Sequence, residues 1–286
     1  MKSPERIVVV GAHGLVGASL VKVLSQQFEV TSIVRNVRGN ETGQVREVNL
    51  ESFQVSEIPM ADWTIYCAGT NGFSAARMFP EKSLRVNVEA PVKIAEACKS
   101  ANNRFLYLSS NAVFDCLEPQ MAIDRIHAPR GIYGLHKSLA EKKLRKLSVV
   151  VILRLGKIVD PDGLVSQWKN SLLKNDGISA VVNHSISPLH LKSVTEIIEK
   201  IIRIDASGIY QISASDDITY FQLAELIATS LSIGVERVSP VTAVQIGIHP
   251  DEVMAFASMD TVRASEDLGF QASSSKDTIL NSIGVP

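Results

Sequence analysis

A run of glycines fixes what the start of this chain can become. In Arg6-Ile-Val-Val-Val-Gly-Ala-His-Gly-Leu-Val-Gly17, Gly11, Gly14 and Gly17 recur every three residues. Residues 6–10 read as a short strand, and Leu15, Val16, Leu20, Val21, Val23 and Leu24 then recur at helical intervals. A helix N-terminus carries unsatisfied N–H groups and partial positive charge, so it attracts a pyrophosphate. Gly11 allows the tight turn, Gly14 lets the backbone approach a phosphate, and Gly17 lets the helix pack close to the strand. Three loop glycines alone are compatible with plain turn chemistry. The flanking strand and helix turn the reading toward nucleotide binding.

The chain then alternates. Residues 29–34, 44–50, 61–68, 105–110 and 148–154 read as strands, with helices over 83–101 and 131–147. Pro91 predicts a kink, or a helix start near Asn87–Glu89. Phe105-Leu-Tyr-Leu-Ser-Ser110 is continuous and mostly apolar, as in a parallel strand buried on both faces. This argues for an α/β fold with a doubly wound parallel sheet. Beyond Leu155 the pattern changes. A turn at 159–163, helices at 164–175, 194–204, 220–231 and 259–268, and a loop at 185–189 are expected, and residues 208–213 read as a strand that would rejoin the sheet. The expected organisation is a dinucleotide-binding domain over 1–155, joined by 189–213. Residues 156–188 and 214–286 form a small discontinuous C-terminal substrate lobe.

The end of the second strand is where such a unit declares its cofactor. An acidic residue there would hold a ribose 2′-hydroxyl, but none lies between Thr31 and Gly39. Arg35 stands at the strand end with Arg38 close by. A guanidinium matches a phosphate in geometry and charge, so Arg35 reads as a ligand of a 2′-phosphate. This favours NADP, with NAD left open. A solvated surface arginine is the alternative.

Several classes are disfavoured. A formal net charge of −1 leaves no electrostatic footprint for nucleic acid or an anionic membrane. No apolar run approaches transmembrane length, and the apolar run at Ile7–Val10 is too short for a signal peptide. Cys67, Cys98 and Cys116 are widely spaced without a CxxC pair, which suits a reducing cytoplasm. The six histidines lack metal-ligand spacing, so no metal is expected.

Tyr133-Gly-Leu-His-Lys137 puts a phenol and an ammonium four residues apart, on one helix face. A free phenol titrates near 10, and a neighbouring ammonium lowers that value. Tyr133 would then exchange a proton with a carbonyl or alcohol. The pair follows both the glycine turn and Ser109-Ser110 at a strand end.

These motifs together resemble the extended short-chain dehydrogenase/reductase superfamily. Within it, the chain is most similar to dTDP-4-dehydrorhamnose reductases (RmlD-like) and related nucleotide-sugar reductases and epimerases. The similarity rests on Gly11-x-x-Gly14-x-x-Gly17, Asn87, Leu108-Ser-Ser-Asn-Ala-Val-Phe-Asp115, Tyr133-x-x-x-Lys137 with Glu141, Leu153-Arg-Leu-Gly156, Ser187-Pro-Leu189, Gly208–Ser213 and Ser258-Met-Asp260. It implies a Rossmann-like oxidoreductase with Ser110, Tyr133 and Lys137 as catalytic residues. Ser110 would hold the substrate carbonyl, Tyr133 would be the acid, and Lys137 would bind the nicotinamide ribose and lower the tyrosine pKa. It implies a cofactor set of Gly11, His13, Gly14, Leu15, Val16, Gly17, Arg35, Asn49, Leu50, Cys67, Ala68, Gly69, Asn87, Tyr133 and Lys137. Thr70, Asn111, Ala112 and Val113 would meet the substrate. Asn111-Ala112 replaces the group's Asp-Tyr, His136 stands where a serine often precedes the lysine, and Val253–Ala257 lacks its Arg-Pro.

The function implied is NADPH-dependent reduction of a keto group on a nucleotide-activated (deoxy)sugar. The partner would be this small-molecule nucleotide-sugar, with no nucleic acid or membrane; a homodimer stays open. Two alternatives also stay open: a nucleotide-sugar epimerase or dehydratase that retains NAD, and a non-catalytic NADP-binding regulatory subunit.

Overall fold

The computed structural model describes residues 5–39, 41, 43–70, 72–160 and 162–284. Asn71 and Pro161, in two of the expected turns, lie outside the described residues. In chain order the elements are β1 (Arg6–Val10), α1 (Leu15–Leu24), β2 (Glu29–Val34), β3 (Gln44–Glu47), β4 (Trp63–Tyr66), α2 (Gly72–Met78), α3 (Pro80–Leu84), a π-turn (Arg85–Glu89), α4 (Ala90–Ser100), β5 (Arg104–Ser110), α5 (Ile132–Leu144) and β6 (Val150–Leu155). They continue with β7 (Lys157–Val159), α6 (Leu164–Leu173), β8 (Ile178–Val181), β9 (Ser185–Ile186), β10 (Pro188–His190), α7 (Leu191–Arg203), β11 (Gly208–Ile212), β12 (Ile218–Thr219), α8 (Tyr220–Ser230), β13 (Val238–Val241), α9 (Val262–Leu268) and α10 (Ser275–Ile283).

The chain divides into two compact units. The first comprises Met1–Val113, Gly131–Arg154 and Lys192–Tyr210, and the second comprises Phe114–Arg130, Leu155–Leu191 and Gln211–Pro286. The segment Phe114–Arg130, placed with the first domain from sequence, groups with the second unit.

A seven-stranded sheet in the order β11-β6-β5-β4-β1-β2-β3 underlies the first unit. β1 pairs in parallel with β2 and β4, β2 with β3, and β4 with β5. This is a Rossmann-like sheet, and its strand order reverses between β1 and β4. In such sheets ligands bind beyond the carboxyl ends of the strands at this reversal. The strands are buried on both faces, which explains their continuous apolar runs. Ile94, Ala95 and Cys98 of α4 and Ala140 and Leu144 of α5 share one core with Val8, Val10, Tyr66, Phe105 and Tyr107. On α7, Val194, Ile197, Ile198, Ile201 and Ile202 repeat at helical intervals and are buried.

The expected kink at Pro91 takes a specific form. Proline has no N–H to bond the carbonyl four residues back, at Asn87. The Tyr107 hydroxyl donates to that carbonyl instead, at 3.0 Å. The π-turn displaces the Ala90 N–H onto the Arg85 carbonyl, and the Tyr66 hydroxyl donates to the Val86 carbonyl at 2.6 Å. Two buried tyrosines of the sheet thus satisfy backbone that a regular helix would pair itself.

In the second unit, Leu172, Ile178, Leu223, Ile227 and Ile279 anchor a separate core. β7 pairs with β10 and β8 with β13, both in parallel, and β9 pairs with β12 antiparallel. Residues 185–189, expected as a loop, therefore contribute to two short strands. Thr219 and Gln222 cap α8 reciprocally.

Candidate functional site

Beyond β1 and β4 lies a cleft of about 660 Å³. Gly11, His13 and Gly14 line it from the glycine turn, Arg35 and Arg38 from the loop after β2, and Asn49, Leu50 and Glu51 from the segment after β3. Cys67, Ala68, Gly69 and Thr70 line it after β4. Gly11 takes φ +87° and donates its N–H to the Ile33 carbonyl at 2.9 Å. A Cβ on Gly11 would lie 2.7 Å from Ala68 backbone, and one on Gly17 would lie 2.3 Å from the Gly11 carbonyl oxygen. On Gly14 a Cβ would meet only that oxygen, at 3.3 Å. Gly11 and Gly17 are thus closed in by protein, while Gly14, the N-cap of α1 without a side-chain cap, faces the cleft. Leu15, Val16 and Gly17 form the first turn of α1 and are not part of the lining. Gly17→Ala is expected to cost about 1–3 kcal/mol through overpacking; an unchanged thermal midpoint would contradict this close approach.

Charged groups crowd the end of β2. Arg35 is 66% exposed in its side chain, with Nη2 3.5 Å from Glu51 Oε1. Lys82 Nζ lies 2.9 Å from the same oxygen, and its hydrogen bond lowers the Glu51 pKa. The carboxylate beside Arg35 thus comes from beyond β3 rather than from the loop after β2. Nothing in the spacing of Glu51 or Lys82 signals that meeting.

Ser109 and Ser110 face different neighbours, as consecutive strand residues do. Ser109 Oγ donates to Glu141 Oε1 at 2.5 Å. Glu141 and Arg154 are fully buried and ion-paired at 2.8 Å. Ser110 Oγ instead donates to Asn111 Oδ1 at 3.1 Å, accepts from the Ala112 N–H at 3.2 Å, and shares a hydrogen bond with Tyr133. Asn111, Ala112 and Val113 form a buried single turn; the first two hold Ser110 in place.

Tyr133 and Lys137 share a face of α5. Lys137 is 5% exposed and donates from Nζ to the Leu108 carbonyl at 2.8 Å. Its Nζ lies 5.8 Å from the Tyr133 ring centroid and 4.6 Å from that of Tyr107. Burial lowers its pKa to about 8, and its charge acts on the cleft residue Cys67. Burial raises the Tyr133 pKa to about 12, with the Ser110 hydrogen bond opposing. The expected lowering by Lys137 is therefore overturned in direction: the ammonium is engaged by a carbonyl, and loss of water around the phenol dominates. Phe73 of α2 packs edge-on against Tyr133, ring centroids 5.2 Å apart.

Asn87 is fully buried in the π-turn. Its Nδ2 donates to Thr70 Oγ1 and to Ser83 Oγ, each at 2.9 Å. Ser83, which sequence reasoning missed, lies 2.8 Å from Nδ1 of His136; only the position of His136 beside Lys137 hinted at this. Among the described residues there is no cluster of three or more potential metal ligands, and no helix is long and apolar enough to cross a membrane.

Comparison with known proteins places these features in a family. The UDP-glucose 4-epimerase of Vibrio cholerae is 25% identical, covering 80% of this chain and 77% of its own. Methionine adenosyltransferase 2 subunit beta of Pongo abelii is 23% identical, with coverage of 83% and 75%. The dTDP-4-keto-6-deoxy-D-glucose reductase of Streptomyces niveus is 25% identical, with coverage of 85% and 84%. The solved structure of dTDP-4-dehydrorhamnose reductase from Bacillus anthracis, in complex with NADP, superposes with a TM-score of 0.84 at 19% identity and covers 99% of both chains. The RmlD substrate binding domain profile matches residues 5–283, and the chain belongs to that family.

Proposed function

We propose that the chain is an NADP-dependent reductase of a keto group on a nucleotide-activated deoxysugar. The observation that carries this reading is the placement of Ser110, Tyr133 and Lys137, with Lys137 Nζ 5.8 Å from the Tyr133 ring centroid, on the unit that holds the glycine-lined cleft. The residues fit a dinucleotide. Gly14 leaves α1 open to a phosphate, the cleft has the volume of a cofactor site, and the buried Asn87 Oδ1 has no protein partner. The NADP complex of the Bacillus anthracis reductase supports the same cofactor class.

When bound, a reduced nicotinamide supplies the hydride. This chain's residues do the rest. The glycine turn with His13 would hold the diphosphate against the first turn of α1 at Leu15 and Val16, and Arg35 would hold the 2′-phosphate. Asn49 and Leu50 would flank the adenine, and residues 67–69 with Asn87 and Lys137 would flank the nicotinamide ribose. Ser110 orients the carbonyl, and Tyr133, with a phenol that keeps its proton at neutral pH, donates to the developing alkoxide. Thr70 and the turn at Asn111–Val113 border the sugar.

A second reading, an epimerase that retains NAD, draws on Glu51 beside Arg35 and on the Vibrio cholerae relative. One measurement separates them. Arg35→Ala is expected to weaken NADPH binding about tenfold and NADH binding much less. Equal losses for both, or NAD copurifying with the wild-type protein, would overturn the NADP assignment.

A further inference from the structure

Three buried or half-buried side chains of the first unit, Thr70, Ser83 and Asn87, close a hydrogen-bonded ring, and a fourth, His136, joins it at Ser83. Ser83 Oγ, on α3, accepts from Asn87 Nδ2 at 2.9 Å and from Thr70 Oγ1 at 3.3 Å, and lies 2.8 Å from Nδ1 of His136 on α5. Asn87 Nδ2 gives its other hydrogen to Thr70 Oγ1 at 2.9 Å. A hydroxyl has one hydrogen and two acceptor sites. In the arrangement in which Thr70 donates to Ser83, the serine accepts from both Asn87 and Thr70 and gives its hydrogen to His136. Nδ1 is then the acceptor, and the neutral ring carries its proton on Nε2. His136 is 6% exposed, and burial lowers its pKa.

The count leaves two acceptors open. Thr70 Oγ1 donates once, accepts once and lines the cleft. Asn87 Oδ1 has no partner, and a Cβ on cleft-lining Gly69 would come within 3.1 Å of it. We propose that His136 is a positioning residue whose Nε2-protonated form sets the ring so that this wall offers only acceptors, selecting a ligand hydroxyl that donates to Thr70. The ligand class, a hydroxyl-rich sugar, rests on the function proposed above.

Proton placement follows. A proton added at Nδ1 makes His136 a donor to Ser83. The Ser83 hydrogen turns to Thr70, and the Thr70 hydrogen turns into the cleft. The wall then presents a donor where it had presented an acceptor. The elements packed against α5 carry Arg77 on α2, Glu81 and Lys82 on α3, Arg85 and Glu89 on the π-turn, Lys93, Glu96, Cys98 and Lys99 on α4, and Arg104 and Tyr107 on β5, with Tyr133, Lys137, Glu141, Lys142 and Lys143 on α5 itself. None contributes to the lowering at His136, which burial alone causes.

Two measurements on the full chain test this. In the ¹⁵N-histidine spectrum, the signal lost in His136→Asn is expected to show an unprotonated Nδ1 and a protonated Nε2 at about pH 8; a protonated Nδ1 overturns the proposal. His136→Asn places a non-titrating oxygen near the Nδ1 position, and thermal denaturation checks that it folds. With dTDP-glucose as probe, wild-type affinity is expected to hold from about pH 8 down to about pH 6.5 and to fall only below it, because burial lowers the His136 pKa, while His136→Asn stays flat over the same range. An equal fall in both proteins overturns the proposal. If dTDP-glucose binds at no pH, the sugar assignment fails, and the spectrum still decides the tautomer.

Discussion

Tyr133→Phe is expected to lower turnover of a keto-sugar nucleotide about a thousandfold while the protein still binds NADPH. The phenol is the group at the strand ends that both keeps a proton at neutral pH and touches Ser110. Burial holds it up to about 12, so the donor form dominates throughout the physiological range. Phenylalanine preserves the ring packed against Phe73 at 5.2 Å, which confines the loss to the hydroxyl. Stopped-flow oxidation of NADPH under single-turnover conditions measures the step. A variant that retains wild-type single-turnover rates would remove Tyr133 from the proton transfer.

Glu141→Ala is expected to destabilise the fold by about 3–5 kcal/mol, more than Gly17→Ala. Glu141 and Arg154 are both 0% exposed, and Arg154 meets the carboxylate through Nε and Nη2. Removing the carboxylate strands a guanidinium in the core and also frees the Ser109 hydroxyl. Replacing both partners, as in Glu141→Leu with Arg154→Met, is expected to recover much of the loss, because no unpaired charge remains. Urea denaturation of the single and double variants checks this. A single variant as stable as wild type would contradict the buried pair.

Much of this was legible where the chemistry is local. Gly11, Gly14 and Gly17 declare a strand, a turn and a helix within twelve residues, and the structure builds those elements there. The parallel, helix-covered sheet follows from the alternation of apolar strands and helices, whereas the order of its strands comes from the fold. Pro91 announced an irregularity, but its resolution by Tyr66 and Tyr107 depends on strands well away in sequence. Glu51, Ser83 and His136 were not legible as partners, because each meets its neighbours only through tertiary packing. The direction of the Tyr133 shift was misread for a related reason. Spacing shows that Lys137 shares its helix face, but burial and the competing Leu108 carbonyl are properties of the fold.

The central claim is that this cleft delivers a hydride to a sugar carbonyl. The most direct measurement incubates the purified protein with NADPH and a set of dTDP- and UDP-linked 4-keto-6-deoxy sugars, following loss of reduced nicotinamide absorbance together with the sugar product. The account predicts that at least one sugar consumes NADPH in equimolar amount to the alcohol formed, and that Tyr133→Phe abolishes this. Epimerised product without net consumption of NADPH would contradict it.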